Sequence, residues 1–132
     1  MKKIIYIETP KGAFVKRNEH LAVDFVSPIP CPFNYGHIKH EIGGDGDPLD
    51  ALLLGKRYPV GTEINADVVG CVYFLDAGLQ DDKLILAHRK PSKMERSVIN
   101  WFFQSYVLEN ITLKKPIDHR PFHLRWFSVR QD

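Results

Sequence analysis

Cysteines and long apolar runs are both scarce in this 132-residue chain. Its most apolar run, residues 68–75, is far shorter than the roughly 20 residues that a membrane-spanning helix needs. Cys31 and Cys71 have no CxxC spacing, and a domain of this size needs no covalent cross-link, so we expect free thiols. Glu8 interrupts the short apolar start before an export-signal core can form. We therefore expect a cytoplasmic protein without a membrane partner.

An excess of charge of one sign is also lacking. Eighteen Lys and Arg against sixteen Asp and Glu leave a formal net charge of +2, which by itself indicates neither a nucleic-acid-binding nor a strongly acidic protein. A composition of 44% hydrophobic and 26% charged residues excludes disorder and low complexity. The length suits one unit, so we predict a single domain over residues 1–132.

Short β-type runs fill the first two thirds of the chain, and nine Gly and nine Pro supply the corners between them. The run Tyr58–Gly61 has Pro at its second position and Gly at its fourth, which predicts a tight turn between two antiparallel strands. Strands of this number and spacing predict a mainly β (α+β) barrel or sandwich. The predicted strands are Lys3–Glu8, Leu21–Val26, Asn34–His40, Ala51–Leu54, Glu63–Leu75 and Lys83–Ala87.

One segment has the pattern of a helix. Ser92 and Glu95 have the spacing of a capping box, in which each side chain bonds the other residue's backbone amide. The following apolar stripe predicts a helix that packs on the barrel and ends near Glu109; it consists of Ile99, Phe102, Phe103 and Tyr106. Prolines in the tail argue against a second long helix.

The segment EIGGDGDPLD, residues 41–50, concentrates three carboxylates, Asp45, Asp47 and Asp50, on a turn rich in Gly and Pro. Carboxylates crowded in this way repel one another, and hard divalent cations with oxygen ligands relieve the repulsion. Metal binding is thus the leading interpretation, and a solvated acidic turn is the alternative.

The sequence does not match the residue spacing of two known kinds of binding loop, the EF-hand for Ca²⁺ and the Walker loop for nucleotides. An EF-hand loop starting at Asp45 fails at three positions, which hold Leu49, Asp50 and Lys56. A phosphate-binding Walker loop fails because Gly55 and Lys56 are followed by arginine and have no glycine five residues earlier. An aspartyl-phosphate nucleophile remains open.

A second acidic group follows the most apolar run, so we expect it at a strand end and in the next loop, where it either faces the first group or is merely solvated. It comprises Asp76, Asp81 and Asp82, followed by Lys83.

Four motifs, taken in order, resemble the first family of soluble inorganic pyrophosphatases. The family signature DGDPxD appears as residues 45–50, preceded by PxNYG at residues 32–36. The family's IEIP resembles residues 7–10, and its DxxxxDxK matches Asp76, Asp81 and Lys83. The helical FFxxY of the family also occurs, at residues 102–106, so the resemblance covers residues 3–109.

The resemblance implies a closed five-stranded barrel of the OB type with one main helix packed on it. It also implies hydrolysis of pyrophosphate to two phosphates with several Mg²⁺ ions, or Mn²⁺ in their place, and is consistent with a homo-oligomer. Asp47 would deprotonate the attacking water. The implied metal ligands are Asp45, Asp50, Asp76 and Asp81, with Glu8 in the outer metal shell, and the implied phosphate-binding residues are Lys16, Tyr35, Lys83 and Tyr106.

Departures from the family pattern fall on the phosphate-binding side. Phe25 replaces an arginine and Val107 replaces a lysine, while Arg17 and Asn18 replace a Tyr-Glu pair. Charged hydrogen bonds contribute about 1.5–3 kcal/mol each. Loss of both the arginine and the lysine without compensation therefore lowers the affinity for phosphate by a factor of roughly 10² to 10⁴. Three outcomes stay open: a weak pyrophosphatase, an enzyme for another diphosphate, or an inactive relative that still binds metal.

A function of another class is single-stranded nucleic acid binding, in which basic side chains hold phosphates and aromatic rings stack on bases. The basic run lies at residues 88–96, and the tail interleaves Arg125 and Arg130 with Phe122, Trp126 and Phe127. Such aromatic residues are more often part of a core. The six histidines show no ligand spacing, and we interpret them as structural or surface residues.

Overall fold

The computed structural model describes residues 1–17, 20–21, 23–26, 30–44, 46–76, 79–80, 82–113 and 122–127. For residues 15–17, 23–26, 74–76, 79–80, 105–113 and 122 the description is limited to the backbone. The strands are β1 (Lys2–Thr9), β2 (Val15–Arg17), β3 (Val23–Val26), β4 (Asn34–Ile42), β5 (Pro48–Leu53), β6 (Glu63–Asp76), β7 (Leu79–Gln80), β8 (Lys83–Ala87) and β9 (Phe122–Trp126), and the helix is α1 (Lys93–Leu113).

Five of the strands close into a barrel. The hydrogen-bonded order is β1-β4-β5-β8-β6, and β6 pairs again with β1. Four of these five pairings are antiparallel, and β5 with β8 is parallel. This confirms the predicted closed five-stranded barrel of the OB type. Outside the closed circuit, β7 and β9 pair with β6, and β2 pairs with β3.

Two hydrophobic cores lie on the two faces of this barrel. Because side chains alternate along a strand, Ala51 and Leu53 point inward while Leu52 and Leu54 point outward. The inner core consists of Ile5, Ile7, Ile38, Ala51, Leu53, Ala66 and Leu86. The outer core joins barrel residues such as Phe33, Tyr35, Leu52 and Ile85 to the helix residues Ile99 and Phe103. Strand β5 is therefore apolar on both faces near its end.

The helix α1 confirms the capping box. The Ser92 amide donates to Glu95 Oε1 at 3.0 Å, and the Glu95 amide donates to Ser92 Oγ at 3.1 Å. Ile99 and Phe103 are buried and Phe102 is half-buried, as the stripe predicts. The helix ends at Leu113, four residues after the predicted end. No helix in the described parts of the chain is both long and apolar enough to cross a membrane.

The tight turn lies one residue later than predicted. The Thr62 amide donates to the Pro59 carbonyl at 3.2 Å, and Gly61 takes the third position with a φ of 86°. This turn leads into β6, which pairs with β1 and β8 and not with β5. Because β5 is parallel to β8 and β8 is antiparallel to β6, the turn connects two strands that run in opposite directions, as predicted, although they do not pair with each other.

Three short strands, β2, β7 and β9, are absent from the sequence prediction, and two strand starts differ from it by more than one residue. Strand β3 begins at Val23 and β5 begins at Pro48, so Asp50 lies within a strand and not in a turn. In β9, Trp126 is half-buried against the outer core, with the Arg96 guanidinium 5.1 Å from its ring centre. This packing disfavours Trp126 as a stacking surface for nucleic acid bases.

Both cysteines are free, which confirms that prediction. Cys71 is buried in the barrel wall, and burial raises the pKa of its thiol from 9.0 to about 11. A thiol with so high a pKa is almost entirely protonated at neutral pH, so it is a poor nucleophile and a poor metal ligand.

Asn34 links two loops at one end of the barrel. Its side chain is fully buried, and Oδ1 accepts from the amides of Lys11 at 3.1 Å and Tyr58 at 2.9 Å. Its Nδ2 donates to the carbonyls of Leu53 at 3.3 Å and Lys56 at 2.8 Å. One amide side chain thus satisfies two donors and two acceptors of the backbone.

We predict that Asn34→Ala lowers the free energy of unfolding by about 2–4 kcal/mol, because it leaves these backbone groups without their partners. Urea denaturation measures the loss. The control is Asn65→Ala, at an exposed asparagine of β6, which should change stability by less than about 0.5 kcal/mol. Equal effects of the two substitutions would contradict the role of Asn34.

Candidate functional site

A row of polar side chains crosses the outer face of the barrel. Tyr6 in β1 pairs with His37 in β4, His37 pairs with Asp50 in β5, and Asp50 pairs with Lys83 in β8. Paired residues point to the same face of a sheet. Their neighbours along each strand belong to the inner core, so this row faces outward beside the outer core.

Lys83 and Asp50 form the charged centre of the row. Lys83 Nζ lies 2.9 Å from Asp50 Oδ2, and the lysine side chain is only 6% exposed. A buried ammonium group is costly without a carboxylate partner, and the parallel register of β5 and β8 supplies one directly opposite. The same Nζ lies 5.8 Å from the ring centre of Tyr35, which packs in the outer core.

Glu8 lies at an irregularity near the end of β1. The register with β4 shifts between Ile7 and Thr9, and the Glu8 side chain is 4% exposed. Its Oε1 lies 3.6 Å from His37 Nδ1. Gly36 makes this close approach of β1 and β4 possible, because a Cβ at Gly36 would overlap the Tyr6 carbonyl oxygen. The glycine of the NYG motif is thus required by packing next to the site.

Asp47 lies in the turn between β4 and β5 and is exposed. The Gly43 amide donates to the Asp47 carbonyl at 2.8 Å, and the Gly46 amide donates to the Gly43 carbonyl at 3.1 Å. Gly46 has a φ of 87°, a conformation that glycine adopts without strain. These bonds hold the backbone of Asp47 while its carboxylate stays accessible to solvent.

The structure brings together four of the ten predicted site residues: Glu8, Tyr35, Asp50 and Lys83. Asp45 and Asp81 lie outside the described residues. For three others only the backbone is described: Lys16 pairs with Phe25 across β2 and β3, Asp76 ends β6, and Tyr106 lies in α1. The end of β6 at Asp76 agrees with the predicted strand end.

His37 is the residue that sequence reasoning missed. The sequence predicts only a structural or surface role for it, yet it contacts Glu8 and stacks on Tyr6 with ring centres 5.2 Å apart. A signal was present, because His37 follows Tyr35 by two residues and alternate residues of a strand share a face.

The described carboxylates supply oxygen atoms, the kind of donor that a hard divalent cation prefers. Glu8 is a buried carboxylate, and burying such a group requires compensating positive charge or hydrogen-bond donors. Oxygen donors of this kind suit Mg²⁺. Within the described side chains, no three His, Cys, Asp or Glu residues are grouped closely enough to hold one ion. The predicted ligands Asp45, Asp76 and Asp81 are outside that set.

A family model described as inorganic pyrophosphatase matches residues 5–114. The chain belongs to the inorganic pyrophosphatase family. This finding agrees with the resemblance in the motifs and with the closed barrel.

Individual relatives carry the same name. An inorganic pyrophosphatase of Saccharolobus solfataricus is 36% identical over 104 residues, which are 73% of this chain and 60% of the relative. Soluble inorganic pyrophosphatase 2 of Chlamydomonas reinhardtii is 37% identical over 90 residues, 62% of this chain and 47% of the relative. The chain thus spans about half the length of these pyrophosphatases.

Solved structures of the family share the fold. The Helicobacter pylori inorganic pyrophosphatase superposes with a TM-score of 0.70 at 25% identity, covering 93% of this chain and 81% of that chain. The Coxiella burnetii inorganic pyrophosphatase gives a TM-score of 0.70 at 19% identity, covering 96% and 85%.

We predict that Lys83→Met lowers the free energy of unfolding by about 1–3 kcal/mol, because it leaves Asp50 without its buried cation. The matched control is Lys39→Met, which removes an exposed ion pair with Glu63 at the same 2.9 Å separation. The control should cost less than about 1 kcal/mol. Urea denaturation measures the free energy of unfolding of both variants. An equal loss in the two would show that burial does not make the Lys83–Asp50 pair more stabilising than the exposed pair.

Proposed function

We propose that this chain hydrolyses inorganic pyrophosphate to two phosphates with Mg²⁺ as its metal. The observation that carries the proposal is the outward-facing row in which the buried Lys83 pairs with the carboxylate of Asp50, while a second carboxylate, Glu8, lies beside His37 in the same row. Membership of the inorganic pyrophosphatase family supports the same reaction.

Pyrophosphate is a polyanion, so a nucleophile must approach a phosphorus atom that is surrounded by negative oxygens. Bound Mg²⁺ neutralises part of that charge and lowers the pKa of water. The residues proposed to hold the metal ions are Glu8, Asp45, Asp50, Asp76 and Asp81, and Mn²⁺ is the alternative ion. All of them supply oxygen donors, which suit either cation.

Asp47 is proposed as the general base. Its carboxylate is exposed at the turn that leads into β5, three residues before Asp50. It accepts a proton from the attacking water as the new P–O bond forms and the bridging P–O bond breaks. A carboxylate suits this role only where water reaches it, and the exposure of Asp47 meets that condition.

Cationic and phenolic groups are proposed to hold the phosphates. The Lys83 ammonium and the Tyr35 ring are neighbours on the outer face, where they can stabilise charge on the leaving phosphate. Lys16 and Tyr106 are proposed to contribute from β2 and α1. Asp50 Oδ2 holds the Lys83 ammonium group at 2.9 Å.

The two missing cations are proposed to weaken substrate binding without removing the chemistry. Phe25 lies opposite Lys16 in the β2–β3 hairpin, so the lost arginine would have neighboured that lysine. Loss of ground-state phosphate contacts raises KM more than it lowers kcat. We therefore propose a pyrophosphatase with an unusually high KM.

The cytoplasm is the proposed compartment. Both cysteines are free, and free thiols are the usual state in a reducing compartment.

The test measures phosphate release from pyrophosphate with Mg²⁺, with excess chelator, and in two variants. Wild type should be active only with the metal, and Asp47→Asn should lower kcat by about 10²-fold or more, because the amide accepts no proton. The control is Asp67→Asn. Asp67 lies in the first half of β6, whereas Asp76 is its last residue, so this substitution should keep activity within about twofold of wild type.

Three results would replace the proposal. Equal inactivity of wild type and Asp47→Asn, with Mg²⁺ still bound by both, would indicate an inactive relative. Faster cleavage of nucleoside or isoprenoid diphosphates would indicate another substrate. Salt-dependent binding of single-stranded nucleic acid without Mg²⁺, together with no phosphate release, would indicate a nucleic-acid-binding protein.

A further inference from the structure

Glu8 and His37 form a pair of metal-binding side chains within the row. Glu8 Oε1 and His37 Nδ1 are 3.6 Å apart, and the two side chains are 4% and 21% exposed. The irregularity in β1 and the close approach at Gly36 hold the two backbones in this relation. The pair is therefore a fixed feature of two adjacent strands.

The two atoms are close enough to share an ion after a modest side-chain movement. Two neighbouring bonds of about 2.1 Å in an octahedral site place their donor atoms roughly 3.0 Å apart. The observed separation of Oε1 and Nδ1 is 3.6 Å, and rotation of the two side chains can shorten it to this distance. Asp50 is the register partner of His37 on the next strand, so a further carboxylate lies on the same side of the sheet.

The plane of the imidazole is set by stacking. The ring stacks on Tyr6 with centres 5.2 Å apart and planes 29° from parallel, while Nδ1 faces Glu8. A neutral imidazole that carries its proton on Nε2 offers the Nδ1 lone pair to a metal. Stacking is compatible with either face of the ring against Tyr6, and the contact with Glu8 distinguishes the two, because the ring turned over would direct a C–H group at the carboxylate.

We propose that Glu8 and His37 bind one divalent ion together, through Oε1 and Nδ1, and that the nitrogen ligand makes this position prefer Mn²⁺ to Mg²⁺. Imidazole suits first-row transition metals, whereas Mg²⁺ takes oxygen ligands almost exclusively. This inference deepens the proposed function by naming an ion for the same site, and it rests on that function only for the ion's role in catalysis.

Pulsed EPR of bound Mn²⁺ tests the nitrogen ligand directly, without any activity measurement. The wild-type protein with one equivalent of Mn²⁺ should show a ¹⁴N coupling of a directly bound imidazole. The coupling should vanish in His37→Phe, in which the ring keeps its stacking on Tyr6. It should persist in His88→Phe. His88 is an exposed histidine beside Tyr58; it follows the last residue of β8, whereas Lys83 is the first residue of that strand.

Titration calorimetry measures the preference between the two ions. His37→Phe should weaken Mn²⁺ binding by roughly tenfold or more, because substitution of one group around a metal commonly lowers the affinity by that factor. The same substitution should change the affinity for Mg²⁺ by less than about threefold, because Mg²⁺ gains little from a nitrogen ligand. His37→Gln, which offers an oxygen, should lose the preference while it still binds both ions. A thermal unfolding scan of each variant confirms that the fold is retained.

The outcomes separate this inference from the proposed function. Absence of ¹⁴N coupling in wild type, or an unchanged ratio of Mn²⁺ to Mg²⁺ affinity in folded His37→Phe, overturns the inference even if pyrophosphate is hydrolysed. A ¹⁴N coupling lost only with His37 supports it even if no phosphate is released, and in that case the proposed function alone fails.

Discussion

The parallel pairing of β5 with β8 is the contact on which the rest of the structure depends. It closes the barrel between residues more than thirty positions apart in the chain, and it sets Asp50 opposite Lys83. The next pairs place Ala51 and Leu53 in the inner core and Leu52 and Ile85 in the outer core. One register thus fixes both cores and the charged centre of the site, because a shift by one residue would exchange the faces of every side chain.

Each of residues 33–37, at the start of β4 and just before it, has a distinct structural role. Phe33 packs against the helix, Asn34 satisfies four backbone groups, and Gly36 admits the backbone of β1. In the same segment, Tyr35 and His37 face outward toward Lys83 and Glu8. Each residue type is explained by what it touches, and the site needs the packing of its neighbours as much as its own charges.

Features set by local sequence were the ones that could be predicted. Strand β8 has the predicted bounds, and the Ser92 and Glu95 bonds form as the capping box requires. The motifs from residue 7 to residue 106 indicated the family and the barrel, and the family model confirms the first of these.

Features set by long-range pairing were not predictable. Strand β9 exists because β6 offers a free edge to it, and Pro48 starts a strand although its segment is typical of a turn. His37 was missed because the spacing of the histidines alone contains no information about Glu8, which lies 29 residues away and meets it only across two paired strands.

We propose that metal and phosphate bind at the row on the outer face of the barrel. An amide NMR titration with Mg²⁺ and inorganic phosphate tests it most directly, because it reports every residue at once. We expect saturable shifts of the amide signals of Glu8, Tyr35, His37, Asp50 and Lys83, with those of Asn65 and His88 unchanged. Shifts confined to the region of His88, or none at saturating concentrations of both ions, would contradict it.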